Sequence, residues 1–147
     1  MLSVQNLEVV YQDVILVLRG VSFDVPKGQI VSLLGSNGSG KTTALRAITG
    51  LLDTQNGDIT KGKIFIEDEE ITNAQPSKIV QLGIAQVLEG RRIFSELTVN
   101  ENLRLGGFTN DGSVPENTER VFELFPILKK RAKNISCLLY TSDAADE

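Results

Sequence analysis

Apolar and polar residues alternate, imperfectly, through the first 25 positions. LSVQNLEVVY (2–11) and VILVLRGVSFDV (14–25) are rich in Val, Leu and aromatics, and predict two strands. PKGQ (26–29) has turn chemistry. IVSLL (30–34) is apolar on both faces, as a central parallel strand would be. The period then lengthens. KTTALRAITG places Ala44, Leu45 and Ile48 at helical spacing and ends on Gly50, a C-cap residue. KGKIFIEDEEIT (61–72) returns to strand spacing with Ile64 and Ile66 on one face, PSKIVQL between Pro76 and Gly83 predicts a short helix, and GIAQVL (83–88) predicts a second buried strand. Thr98 and Glu101 predict a capping box opening the helix VNENLRL, and Ser113 and Glu116, with Pro115 between them, predict another. Leu105-Gly-Gly-Phe108 predicts a helix end with a glycine cap. Val121, Phe122, Leu124, Phe125 and Leu128 form a wide apolar stripe that Pro126 is expected to interrupt. There is no internal repeat.

Composition narrows the classes. The 147 residues are 41% hydrophobic and 23% charged, enough for one domain with a buried core. No apolar run nears the ~18 residues of a membrane span, and the N-terminus lacks the basic and apolar regions of a signal peptide. With no histidine, histidine catalysis and histidine metal sites are excluded. The single cysteine, Cys137, cannot form an internal disulfide, which suits the cytosol. The net charge is −4, and three of the nineteen acids (Asp143, Asp146, Glu147) lie in 137–147, which has no base. No basic field points to nucleic acid.

The chemistry is concentrated at Gly35-Ser36-Asn37-Gly38-Ser39-Gly40-Lys41-Thr42, which matches G-x-x-x-x-G-K-[ST]. A triphosphate needs many donors at short range. Glycines at 35, 38 and 40 let the backbone curl so that successive N–H groups point inward, and the following helix adds its positive N-terminal end. Lys41 reaches the β- and γ-phosphates in this scheme, the Thr42 hydroxyl binds Mg²⁺, and Asn37 and Ser39 supply mostly backbone N–H groups. A decoy lies nearby. Gly57 to Ile64 has the same G-x₄-G-K spacing, but Ile64 has no hydroxyl and a strand follows instead of a helix.

Over residues 1–135 the chain resembles the ATP-binding subunits of ABC transporters, beginning with LEVVYQDVILVLRGVSFDVPKGQIVSLLGSNGSGKTT. The resemblance implies an α/β phosphate-loop ATPase fold with an N-terminal antiparallel β subdomain, an incomplete parallel sheet and the start of the helical subdomain. It implies that Tyr11 stacks on adenine, although by sequence alone Tyr11 reads as a strand-end tyrosine packed on its neighbours. It also implies that Thr43 joins residues 35–42 in the nucleotide site, with ATP and Mg²⁺ as cofactors. The family's Q-loop glutamine aligns with Glu89, a second candidate metal ligand. Gln86 falls three residues early and reads as a plain strand residue. GIAQVLEGRRIFSELTVNENLRLGGF resembles the ATPases of branched-chain amino-acid importers, the LivF type, with Leu88 and Ser95 in place of prolines.

That family places its subunits on the inner face of the cell membrane, bound to a membrane permease and to a second ATP-binding subunit (identical or not), and indirectly served by a solute-binding protein. The family's signature sequence, Walker B carboxylates and switch histidine do not occur here, so this chain is expected to bind nucleotide without hydrolysing it. CLLYTSDAADE (137–147) resembles translated sequencing adapter, which leaves 1–136 as a truncated cassette domain. Two other classes stay open. One is a small phosphate-loop kinase, for which no acceptor pocket or basic lid can be placed. The other is a truncated product with no cellular role. A GTPase is disfavoured, since N-K-x-D and D-x-x-G are lacking.

Overall fold

The computed structural model describes residues 1–90 and 92–136. The segment 137–147, read above as a foreign tail, lies outside the described residues. The chain divides into two compact units, Met1–Gln86 and Val87–Glu147.

The first unit is built on one antiparallel sheet of order β2-β1-β3-β4, formed by β1 (Leu2–Tyr11), β2 (Ile15–Val25), β3 (Gly57–Ile66) and the two-residue β4 (Glu69–Glu70). The imperfect alternation of β1 has a structural cause. Val4, Leu7 and Val9 are buried, so the inward face skips one residue between 4 and 7. Pairing with both neighbours shifts register at that point, and Asn6 takes a φ of 50°. That is a β-bulge, which returns the apolar residues to one face. The Asn6 N–H, freed from the ladder, donates to Ser22 Oγ at 2.8 Å.

Two helices cover the inward face. α1 (Lys41–Thr49) contributes Ala44, Ala47 and Ile48, and α2 (Pro76–Gln81) contributes Ile79, to one cluster with Val4, Leu7, Val9, Leu18, Leu52, Ile64 and Ile71. α1 ends as expected at Gly50, whose φ is 70°. The decoy motif lies in β3, with no helix behind it.

The predicted strands at 30–34 and 83–88 do not form ladders. Both segments are irregular, with Ile30 and Val87 each 98% exposed. The described residues hold no strand running beside them, and without a neighbour a strand's N–H and C=O groups stay with water. The parallel part of the fold is therefore present as sequence without paired backbone.

In the second unit, α3 (Val99–Gly106) carries the predicted capping box. Glu101 N–H donates to Thr98 Oγ1 at 3.2 Å and Thr98 N–H returns to Glu101 Oε2 at 2.8 Å. Hydrogen bonding from Thr98 holds the Glu101 carboxyl below its usual range. The chain at 132–136 packs on the start of this helix. Val99 N–H bonds Asn134 O, Ser136 N–H bonds Leu97 O, and the Asn102 amide lies within reach of Ser136 Oγ and of the Phe94 and Thr98 carbonyls.

The second predicted box fails. Ser113 is the N-cap of α4 (Val114–Leu124) but makes no capping bond. Its hydroxyl accepts from Asn117 Nδ2 at 3.3 Å, and its ψ of 0° differs from the extended value of 163° at Thr98 that aims a cap inward. Pro126 interrupts the next helix as expected. Phe125 leaves helical geometry and α5 runs Pro126–Lys130.

Candidate nucleotide-binding site

The glycine loop leads directly into α1. Gly38 and Gly40 hold φ of 83° and 90°, the left-handed region that a side chain disfavours. Gly35 has no such φ; a Cβ there would meet the Ser39 hydroxyl, so a side chain would have to turn that serine aside. The loop turns on itself through Ser39 N–H to Ser36 O at 3.2 Å, and residues 35–39 are exposed.

The start of α1 suits an anion. Its N-cap Gly40 offers no capping side chain, and the first turn holds no acid. The first helical bond runs from Ala44 N–H to Gly40 O at 2.9 Å, so the amides of Lys41, Thr42 and Thr43 come before it, where a helix leaves donors unused. The Lys41 ammonium folds back over the loop and donates to the carbonyls of Gly35 and Ser36 at 2.7 Å each, with Ser39 Oγ at 3.4 Å. A cradle of glycine backbone, free helical amides and one ammonium fits a polyphosphate.

Around this cradle the predicted residues divide. Thr42, the expected cation ligand, is half-buried beside Lys41 at the start of α1. Among the described residues no group of three or more Asp, Glu, Cys or His gathers as a metal site. Mg²⁺ characteristically takes few protein ligands and several phosphate oxygens and waters, so it does not need such a group. Tyr11 belongs to the same unit. Its ring lies against Gly57 and its hydroxyl is 3.4 Å from Thr43 Oγ1. Glu89 belongs to the second unit, on an exposed loop where its carbonyl accepts from Arg92 Nε at 3.3 Å.

Two contacts have no signal in the sequence. Gln86, not a strand residue here, accepts from Thr49 Oγ1 at 2.7 Å and so ties its segment to the last turn of α1. Gly57, part of the decoy motif, lies against the Tyr11 ring. Neither has a local signature, because each depends on pairing between residues more than thirty positions apart.

A glycine cradle running into an uncapped helix that begins Lys-Thr defines a phosphate-loop nucleotide-binding protein. The ABC transporter family model matches residues 18–142, and the chain belongs to that family. It is 43% identical over 82% of its length to the high-affinity branched-chain amino acid transport ATP-binding protein BraG of Pseudomonas aeruginosa, covering 50% of that protein. To the probable branched-chain amino acid transport ATP-binding protein LivF of Archaeoglobus fulgidus it is 33% identical, covering 82% of this chain and 51% of that one. Among solved structures, an ATP-binding cassette of an ABC transporter in its ADP conformation superimposes with a TM-score of 0.71 at 28% identity, over 93% of this chain and 57% of that one. An ATP-binding subunit of an ABC transporter gives 0.73 at 29%, over 92% and 54%. The fold is that of an α/β ABC ATPase, and the chain spans about half the length of the curated relatives it matches.

Proposed function

We propose that the chain is the phosphate-holding part of an ABC importer's ATP-binding subunit, and that it binds MgATP without turning it over. The observation that carries this is the cradle itself: left-handed glycines, the unused amides at the start of α1, and Lys41 poised across the loop. Lys41 and the amides of 35–43 hold the phosphates, Thr42 meets the cation, Tyr11 stacks on the base, and the resemblance makes Glu89 a second candidate ligand to the cation.

The transport reading rests on the relatives, whose printed functions concern branched-chain amino acids. On it, the whole subunit pairs with a second ATP-binding subunit, docks on a membrane permease at the cytoplasmic face and is served indirectly by a solute-binding protein. Among the described residues no helix is long and apolar enough to cross a membrane. The boundary at residue 136 belongs to the same proposal, although the family match runs on to 142.

Hydrolysis needs a water that is activated and aligned with the γ-phosphate. The chain has no histidine and none of the family's signature or Walker B residues. Purified chain is expected to bind ATP in preference to GTP and to release no phosphate above background. Steady release that Lys41→Ala abolishes would overturn the second half of the proposal. Transfer of phosphate to a small-molecule acceptor would favour a kinase instead.

A further inference from the structure

The Tyr11 ring is held in place by a missing side chain. In the β1–β3 ladder Tyr11 stands opposite Gly57, and a Cβ on Gly57 would come to 2.5, 2.9 and 3.2 Å from Cε1, Cδ1 and Cζ of the ring. Heavy atoms do not approach this closely, so an added methyl must displace the ring or push the two strands apart. Gly57 does not have a positive φ, so its backbone would accept alanine without strain. Space for the ring is what the glycine supplies. Its neighbours are fixed, because Gly57 N–H bonds Leu52 O at 3.2 Å and Gln12 N–H bonds Asn56 O at 2.9 Å. The ring's one polar contact, to Thr43 Oγ1 at 3.4 Å, is long and correspondingly weak. Packing, against Gly57 and against the core cluster, therefore outweighs that bond in setting the ring's position.

We infer that Gly57 is a positioning residue for nucleotide recognition: its bare backbone seats Tyr11 where the ring meets the base, so that Gly57 governs affinity for the base and leaves affinity for the phosphates alone. This rests on the reading of Tyr11 as the base platform, and the two are separable by experiment.

The ligands to compare are MgATP and Mg-tripolyphosphate, which offers the same phosphate chain without a base. Gly57→Ala in the full chain is expected to weaken MgATP about tenfold, the scale of one lost base–aromatic stack, and to change tripolyphosphate affinity by less than twofold. Tyr11→Ala is expected to do the same. In the Tyr11→Ala background, Gly57→Ala is then expected to have no further effect, since no ring remains to displace. If Gly57→Ala does not fold, the double variant is expected to fold, because removing the ring removes the clash. Equal loss for both ligands in Gly57→Ala, an undiminished effect of Gly57→Ala without Tyr11, or a double variant that stays unfolded would each overturn the inference. Loss of the base preference in Tyr11→Ala but not in Gly57→Ala would keep Tyr11 as the platform and reject Gly57. No base preference in the parent chain would reject the platform itself.

Discussion

Thr98 and Ser113 show how much one backbone angle decides. Both are hydroxyl residues three positions ahead of a glutamate, yet only Thr98, in extended geometry, caps its helix. Thr98→Ala is expected to cost about 0.5–2 kcal/mol of local stability, the usual range for an N-cap, read as faster amide exchange across α3. Ser113→Ala is expected to leave exchange in α4 nearly unchanged. The same box carries a pH dependence. Hydrogen bonds from the Thr98 side chain and backbone hold the Glu101 carboxyl below its ordinary value of 4.5. Their stabilising effect is thus fully present above that value and fades as pH falls through it toward the depressed one. Amide exchange in α3 is expected to accelerate over that acid range, and Glu101→Gln to flatten the profile. An identical acid profile in Glu101→Gln would place the titrating group elsewhere.

The elements were legible where their causes are local. Strands 2–11 and 14–25, the helices after Gly40 and Thr98, and the break at Pro126 all follow from alternation, caps and proline, which act within a few residues. The phosphate loop was legible for the same reason, since every residue of the cradle lies between 35 and 43. What escaped the sequence depends on distant pairing. The glycines of the decoy have strand duties: Gly57 makes room for Tyr11, and Gly62, with φ of 95°, faces the β1 bulge where a Cβ would strike the Gln5 and Asn6 carbonyls. The segments 30–34 and 83–88 carry the composition of buried strands, but composition states only what a segment can bury, and a ladder also needs a neighbour. Ile30, Leu34 and Val87 accordingly stand open to solvent. The expected consequence is binding of an apolar dye and slow association through open strand edges, reduced when Ile30→Lys is introduced and with MgATP affinity unaltered by that change. A parent chain that binds no dye would show these segments covered in solution.

At the scale of the whole chain, one sheet with α1 and α2 holds the cradle, and its core, from Val4 to Ile79, lies within the first unit. That arrangement keeps the residues proposed to grip phosphate within a single unit, in a chain that spans about half the length of the relatives it matches. Stability is a separate matter. A domain's net stability of about 5–15 kcal/mol is small beside burial at about 25 cal/mol per Å², so the open apolar segments leave the fold with little reserve, and bound nucleotide is expected to raise its melting temperature.

Calorimetric titration with MgATP of the parent chain beside Lys41→Ala shows whether this chain holds a nucleotide by its phosphates at Lys41. Saturable binding is expected for the parent, with an affinity lower by about ten- to a hundredfold in the variant, as follows from losing one charge-assisted contact of about 1.5–3 kcal/mol. Equal binding by the two chains would contradict that expectation.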